Sequence, residues 1–143
     1  MASSNAVTGE GMENQEDAND LKFNKEFDNA QALMISEVKL LLEERKKLQE
    51  TFNEDQELPE VFQKTYDYVQ QFSKFTNEQT VKTVRQTLST KSLHPFEMVA
   101  IGNLCPEVAD EAKSYIRSLE SNIDDEELQE MLDEIKTHIS YQY

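Results

Sequence analysis

The amino-acid sequence predicts an all-α fold. Gly and Pro occur only 3 times each in 143 residues, and so few turn residues favour long helices joined by short loops. Beyond residue 28, apolar residues recur at the three- and four-residue spacing of helices, not at the two-residue spacing of strands. We therefore expect an N-terminal extended arm with a short strand, then a long helix, then a compact bundle of helices.

The charge balance excludes several classes of function. The formal net charge is -15, whereas a domain that binds nucleic acid by itself normally carries a basic surface that neutralises phosphates. An anionic membrane surface is disfavoured for the same reason, and no apolar run is long enough to span a bilayer. The single cysteine cannot form an internal disulfide. These features predict a soluble intracellular protein that is not a membrane protein.

The first part of the chain, residues 1–20, is predicted to be a disordered acidic tail. It contains no Lys or Arg and few apolar residues. Such a segment cannot bury enough apolar surface to offset the entropy lost on ordering.

The next segment, "LKFNKEF" (21–27), predicts a short strand. Leu21 and Phe23 alternate with polar residues, and Phe27 extends the apolar set after a slip in register. No second strand-like run follows, and a single strand needs a partner for its backbone groups. Two interpretations remain open: strand addition to another protein's sheet, or an extended arm that lies on its own domain.

A long helix is predicted from Asp28 to about Lys47. Asp28 with Gln31 forms a plausible N-terminal capping pair. The apolar residues occupy an arc wider than one face, which indicates packing on more than one surface. They are Ala30, Leu33, Met34, Ile35, Val38, Leu40, Leu41 and Leu42. Strand and helix together, residues 21–52, are therefore predicted to be a docking arm for a partner chain.

The remainder, residues 53–143, predicts a helical domain of about five short helices. Each start has a local signal, either a capping residue or a proline in the first turn. The first helix is expected over about Leu58–Phe72, and the later ones begin after Asn77, at Pro95, at Pro106, and at Asp124 or Asp125.

Cys105 and His94 form the one pattern that resembles a catalytic pair. A nucleophilic cysteine needs a lowered pKa and an adjacent base. A helix of about ten residues lies between the two positions and separates them by about 15 Å. We therefore interpret Cys105 as a packed thiol at the bend between two helices. A position at a helix N-cap, before Pro106, is the alternative that would favour a thiolate.

The sequence predicts no catalytic residue, no cofactor and no metal site. One Cys and two His cannot supply the four ligands of a structural zinc site. The acidic run "DDEE" (124–127) lacks the glycine and the spacing of a calcium-binding loop, and no phosphate-binding glycine motif is present. A weak contact with RNA is expected from Lys82, Arg85 and Lys91, with an ordinary solvated helix face as the alternative.

At this level of detail the chain resembles the family of fourth subunits of eukaryotic RNA polymerase II, an HRDC-like family with a counterpart among the small subunits of archaeal polymerases. The resemblance runs from about Leu21 to Tyr143 and excludes the acidic tail. It rests on the order and spacing of "KEF" (25–27), "SEVKLLLEERK" (36–46), "ELPEVFQKTYDYVQQFSKF" (57–75), "LHPFE" (93–97), "NLCPEVADEAKSYIRSLE" (103–120), "DDEELQEMLDEI" (124–135) and the terminal "YQY".

The resemblance implies a non-catalytic subunit of the polymerase stalk. It implies a heterodimer with the larger, seventh subunit, near the channel through which RNA leaves the enzyme. Other implied partners are the polymerase core, transcription and RNA-processing factors, and nascent RNA, contacted mainly through the larger subunit. Residues 53–143 would form an HRDC-like domain, in which acidic residues outnumber basic ones by more than two to one. The implied location is the nucleus, with the cytoplasm as a second compartment.

By position, the resemblance assigns seven apolar residues of the arm and first helix to the larger subunit or to the junction between it and the helical domain. They are Leu21, Phe23, Phe27, Leu33, Val38, Leu41 and Leu42. The alternatives to this function are a stalk subunit of a paralogous, specialised polymerase, and a free-standing HRDC-like module that binds nucleic acid. A thiol enzyme is the third and least favoured class.

Overall fold

The computed structural model describes residues 15–52 and 57–140, and all regular structure in these ranges is helical. The α-helices are, in chain order, α1 (Ile35–Phe52), α2 (Glu60–Phe72), α3 (Glu78–Leu88), α4 (Pro95–Leu104), α5 (Ala109–Tyr115), α6 (Leu119–Asn122) and α7 (Asp125–Ser140). Two 3-10 turns, Ala18–Asp20 and Lys25–Phe27, precede α1. The all-α class is confirmed. Residues 1–14 of the predicted disordered tail, residues 53–56 and the terminal "YQY" lie outside the described residues. In the described part of that tail, Ala18–Asp20 forms a 3-10 turn that the prediction did not include, because the Asp17 side chain accepts the N–H of Asn19 and caps it.

Several helices begin where their local signals predicted. The Asn77 side chain accepts hydrogen bonds from the first turn of α3. Pro95 occupies the first position of α4. The Asp124 carboxylate accepts from the backbone N–H of Glu127 at the start of α7. These starts were predictable because each capping group lies within a few residues of the N–H groups that it satisfies.

The start of α1 differs from the prediction: α1 begins at Ile35, not at Asp28. The backbone N–H of Ile35 donates to the side-chain oxygen of Asn103, which lies in α4, at 2.8 Å. The N–H of Met34 donates to the carboxylate of Glu37 at 2.7 Å. The first turn of α1 is therefore satisfied partly by a residue far away in the sequence, which a local capping signal cannot reveal.

The short strand expected over residues 21–27 is also not formed in this chain. Lys22 makes an isolated antiparallel bridge with Asp17, with both N–H···O distances at 2.9 Å. Leu21, at the turn between them, has a φ of 56°. The Asn24 side chain then caps the 3-10 turn Lys25–Phe27. An extended segment here has no neighbouring strand in the described chain to receive its backbone hydrogen bonds, so local turns satisfy them instead.

The helix predicted to begin at Pro106 begins instead at Ala109 and ends early. The N–H of Ala109 donates to the side chain of Gln129 on α7 at 2.8 Å, and the same side chain donates to the carbonyl of Glu107 at 3.0 Å. At Ile116 the backbone leaves the helical region, and α6 then forms as a separate single turn. A side chain of α7 thus determines where α5 begins.

Helices α3 to α7 enclose the hydrophobic core, and α1 with α2 forms a hairpin beside it. Helix α7 packs against α3 and α5, and α4 packs against α3. The core side chains include Phe75, Val81, Val84, Leu88, Ile101, Ala112, Ile116, Leu119, Leu128, Leu132 and Ile135. Met34, just before α1, is also buried in this core. It lies so close to Gly102 that a Cβ at that position would overlap the Met34 sulfur.

Helices α1 and α2 run antiparallel. Near the base of the hairpin, the hydroxyl of Ser36 hydrogen-bonds to the hydroxyl of Ser73 at 3.2 Å. Midway along, the ammonium of Lys46 lies 4.9 Å from the centre of the Tyr66 ring. Moving forward from Ser36 to Lys46 along α1 thus corresponds to moving back from Ser73 to Tyr66 on the side of α2. The two helices contact each other along this hairpin.

Cys105 lies at the C-terminal cap of α4, so the alternative of an N-cap position is wrong and the bend between helices is confirmed. Its φ is 47°, in the left-handed region, and its thiol donates to the carbonyl of Gly102 at 3.3 Å. Burial raises the pKa of the thiol to about 11, and the positive charge of Lys74 opposes this only in part. The negative end of the helix dipole disfavours a thiolate as well.

His94 lies at the opposite end of α4, where it serves as the N-cap. Its Nδ1 accepts a hydrogen bond from the N–H of Phe96 at 3.1 Å. The intervening helix has 10 residues, which corresponds to about 15 Å. Cys105 and His94 therefore cap the two ends of one helix and do not form a nucleophile–base pair.

Glu97 is a fully buried carboxylate that joins α4 to α6. It accepts from the N–H of His94 at 2.9 Å, which completes a capping box. It also accepts from the Ser118 hydroxyl at 2.6 Å and from the Asn122 amide at 3.0 and 3.1 Å. A buried carboxylate is tolerated when hydrogen bonds replace its lost hydration, and this one has donors on both oxygens.

Glu97→Ala is expected to lower the free energy of unfolding by about 3–5 kcal/mol, because it leaves the buried Ser118 hydroxyl and two part-buried donors, the His94 N–H and the Asn122 amide, without their acceptor. Glu97→Gln should cost less, about 1–3 kcal/mol, because the amide retains one acceptor oxygen. Urea denaturation followed by far-UV circular dichroism measures both. The exposed Glu120→Ala is the control, expected within about 0.5 kcal/mol of the parent. A Glu97→Ala value equally small would contradict this account of the network.

The Cys105 thiol is expected to react slowly with iodoacetamide in the folded protein. With a pKa of about 11, only about one thiol in 10⁴ is ionised at pH 7, and the thiolate is the reactive form. The rate should rise about tenfold per pH unit up to about pH 11, without the plateau near pH 9 that an ordinary thiol shows. The same shift means that its contribution to stability is present below pH 9 and is lost as the pH rises toward 11.

Mass spectrometry of the alkylated protein measures this rate, with the same chain unfolded in urea as the control. Equal rates for folded and unfolded chains at pH 7 would show that the thiol is not protected as described.

Candidate partner-docking surface

The residues assigned to partner docking lie along one continuous stretch, from the arm to the first half of α1. Phe23 is half-buried because its ring packs against His94 and Phe96, with centroids 5.5 and 5.1 Å away. Leu21 is half-buried as well. This part of the arm thus lies on the helical domain, at the start of α4. Of the two interpretations of the arm, contact with its own domain is the one seen here in the isolated chain.

A bidentate ion pair joins Glu37, in the first turn of α1, to Arg85 of α3. Arg85 donates to both carboxylate oxygens of Glu37, at 2.7 and 2.5 Å, and to the carbonyl of Ala32 at 2.8 Å. The Arg85 and Glu37 side chains are mostly buried, where a pair with this geometry contributes more than an exposed one. The arm therefore enters α1 at a position set by α3.

An open groove of about 810 Å³ lies between the first half of α1 and α3. Leu33, Leu40, Leu41 and Val81 supply its apolar lining. Its polar lining comes from both helices, including the Glu37–Arg85 pair.

The assigned residues differ widely in how much they expose. Phe27 and Leu41 are exposed, at 61% and 54%. Leu33, Val38 and Leu42 are half-buried. Two of the seven are thus free to contact another protein with most of their surface, and their role in docking stays a prediction.

The three basic residues expected to contact RNA each already have an acidic partner. Lys82 lies 3.1 Å from Glu78, and Lys91 lies 3.3 Å from Glu127. Arg85 is engaged by Glu37 as described. The structure does not gather them into an uncompensated basic surface, and the weak RNA contact stays a prediction.

In residues 15–52 and 57–140, no three His, Cys, Asp or Glu side chains are grouped so that they would hold a metal ion. In the same part of the chain, no helix has the length and apolar character needed to cross a membrane. Lys113 has its pKa raised by a hydrogen bond to Asp125, 2.7 Å away. That pair joins α5 to α7, with an exposed Asp125 and a Lys113 side chain that is mostly covered by its neighbours.

The hairpin of α1 and α2 exposes a set of apolar residues, most of which were not among the predicted site residues. Helix α1 exposes Leu48 and Phe52 in addition to Leu41, and α2 exposes Val61, Tyr68 and Phe72. The signal was available: in each helix the three residues are separated by seven and then four positions, which is the spacing of one helix face.

Comparison with known proteins identifies the family. The family model described as RNA polymerase Rpb4 matches residues 32–139. The DNA-directed RNA polymerase II subunit rpb4 of Dictyostelium discoideum is 38% identical over 140 residues, which cover 87% of this chain and 90% of the relative. DNA-directed RNA polymerase II subunit 4 of Arabidopsis thaliana is 38% identical over 128 residues, covering 86% and 93%. The rpb4 subunit of Schizosaccharomyces pombe is 36% identical over 130 residues, covering 90% and 95%.

The match begins just before Met34 and includes α1, all but one of the residues that line the groove, and the helices of the core. Since the family model spans most of the chain and these relatives are covered nearly end to end, the chain belongs to the RNA polymerase Rpb4 family.

Proposed function

We propose that this chain is a non-catalytic subunit of nuclear DNA-directed RNA polymerase II, and that it forms the stalk heterodimer with the seventh subunit. The observation that supports polymerase membership is the similarity, over at least 86% of the chain, to proteins named as subunit 4 of RNA polymerase II in three organisms. The heterodimer follows from the resemblance of the arm and α1 to the partner-docking part of the family.

The surface chemistry of the arm and α1 supports a protein partner. Phe27 and Leu41 keep more than half of their side-chain surface exposed, and Leu41 also lines the groove beside α3. Large exposed apolar residues that adjoin a groove are typical of surfaces that bind other proteins. Removing them from water on binding is favourable by roughly 25 cal/mol for each Å² of apolar surface.

The pairing of the basic residues supports a division of labour in which the larger subunit contacts RNA. Strong binding to RNA requires cations that neutralise phosphates, and Lys82, Arg85 and Lys91 are paired with carboxylates. A free-standing nucleic-acid-binding module is therefore disfavoured. In the proposed assembly, this chain positions the larger subunit and offers its own outer helices to transcription and RNA-processing factors.

The double substitution Phe27→Asp with Leu41→Asp should weaken binding of the seventh subunit at least about 30-fold, because it places charges where apolar anchors would be buried. Both side chains are exposed in the free chain, so its stability should change little. Co-expression with the seventh subunit of RNA polymerase II, followed by isothermal titration of the separated chains, measures the effect.

The matched control is Val108→Asp with Tyr115→Asp, two exposed apolar residues at the start and end of α5. This variant adds the same charge and should bind like the parent. A parent chain that forms no complex with the seventh subunit would overturn the proposed heterodimer. Equal loss in both variants would show that binding depends on net charge and not on the arm.

A further inference from the structure

A group of exposed apolar side chains lies at the bend between α4 and α5 and along α5. It consists of Leu104, Val108 and Tyr115, which are 53%, 50% and 60% exposed. Every other large apolar residue that is exposed in the described chain belongs to the arm or to the hairpin. The docking surface proposed for the seventh subunit uses neither α4 nor α5, so this group has no partner assigned to it.

Leu104 and Val108 come directly before and after a segment that lines an apolar cavity. Residues 105–107 of the bend contribute to the lining, together with four residues of α7, which are Leu132, Ile135, Lys136 and Ile139. The cavity has a volume of about 190 Å³, and an apolar cavity of about 150 Å³ is large enough to hold a benzene ring. One large apolar side chain from another molecule therefore fits beside the exposed Leu104 and Val108.

Helix α5 presents one flank to solvent. Ala109 and Ala112 are buried and face the core. Lys113, on one flank, is hydrogen-bonded to the first turn of α7. Val108 and Tyr115 are seven positions apart, which places them about 20° apart around the helix axis, on the flank opposite to Lys113. The apolar residues of α5 thus lie on the side that α7 does not cover.

Carboxylates accompany these apolar residues. Glu111 lies three positions after Val108 and four before Tyr115, and so on the same flank of α5. Its carboxylate accepts the backbone N–H of Glu107 at 3.3 Å, which brings the two acidic residues together. Neither forms an ion pair with a residue of 15–52 or 57–140. We call this surface the α5 corner; its members are Leu104, Glu107, Val108, Glu111 and Tyr115.

The composition of the α5 corner selects the chemistry of its partner. Exposed apolar side chains beside a cavity favour a partner with a large apolar anchor. Glu107 and Glu111 outnumber Lys136, the cation among the described residues that line the cavity, and they favour Lys or Arg beside that anchor. RNA is disfavoured because these carboxylates repel phosphates. A second copy is disfavoured because two chains with a net charge of -15 repel each other.

We propose that the α5 corner binds a segment of another protein in which a large apolar side chain is flanked by Lys or Arg. The apolar anchor enters the cavity beside Cys105, and the basic side chains pair with Glu107 and Glu111. The partner is a protein other than the seventh subunit. This inference rests on the proposed function only for its setting, since the α5 corner belongs to the free chain, and the two can fail separately.

The first test selects peptides on the immobilised full chain from a phage-displayed library of random peptides of about twelve residues. The variant Leu104→Asp with Val108→Asp, added in solution as a competitor, removes phages that bind elsewhere. Both side chains are half exposed, so folding should be retained, which circular dichroism and thermal unfolding check. We expect the surviving peptides to carry Lys or Arg beside a large apolar residue. No enrichment, or enrichment of peptides without Lys or Arg, overturns the inference.

The second test measures the binding of one selected peptide by fluorescence anisotropy. Leu104→Asp with Val108→Asp should weaken binding at least about 30-fold, because it removes the apolar contacts around the anchor. Glu107→Gln with Glu111→Gln should weaken it about three- to tenfold, and higher ionic strength should then have little further effect, since the attraction between charges is gone. This second variant keeps the inference testable if the aspartate variant does not fold.

The matched control is Glu120→Gln with Glu126→Gln. It removes the same charge from α6 and from the first turn of α7, where both residues are exposed, and it should bind the peptide like the parent. Equal weakening in the control and in the Glu107/Glu111 variant would show that binding follows net charge and not the α5 corner, which would contradict the inference.

The purified seventh subunit of RNA polymerase II distinguishes the occupants. Peptide binding should persist in the complex of the two subunits, and both α5-corner variants should bind the seventh subunit like the parent. Loss of peptide binding in the complex means that the larger subunit covers the corner, and the inference is wrong. It is also wrong if Leu104→Asp with Val108→Asp abolishes self-association of the free chain, because the occupant is then a second copy. If the parent binds the peptides but not the seventh subunit, the proposed heterodimer fails and this inference stands.

Discussion

The Glu37 carboxylate is the constraint on which the arrangement of this protein depends. One of its oxygens accepts the N–H of Met34 and so caps α1, and both receive the guanidinium of Arg85 from α3. Arg85 reaches further, to the carbonyl of Ala32. Asn103 of α4 supplies a second cap to α1. Three separate segments therefore meet at the first turn of α1, and their hydrogen bonds determine where that helix begins and which way it projects.

The fixed start of α1 explains the contrast between the two parts of the fold. Met34, held just before α1, is buried in the core against Gly102, so the base of the hairpin is anchored. Farther along, α1 contacts mainly α2, and between them they bury Val69 and little else completely. The hairpin thus leaves the core as a pair of helices with an uncovered apolar side. A surface of this kind is stabilised when a second chain covers it.

The corner formed by α4, α5 and α6 shows how residue types associated with catalysis serve the fold instead. His94 and Glu97 together complete a capping box at the start of α4, and Cys105 ends the same helix. Glu97 extends the network to α6 through Ser118 and Asn122. Each of these polar side chains is hydrogen-bonded, and burial keeps the Cys105 thiol protonated. His94, Glu97 and Cys105 therefore have structural roles, and they hold α4 and α6 in place.

The sequence by itself determined the helical class, the family and those helices whose start signals are local. Asn77, Pro95 and Asp124 lie beside the N–H groups that they cap or the turn that they begin, so their effects are readable in a short window. Only the tertiary structure decided that α1 begins at Ile35 and α5 at Ala109, because the groups that satisfy those first turns come from other helices. It likewise decided that Arg85 joins α3 to the start of α1, and that the exposed apolar residues of α1 and α2 come together on one hairpin. Such pairings depend on the distance and orientation of segments remote in sequence, which a linear pattern does not contain.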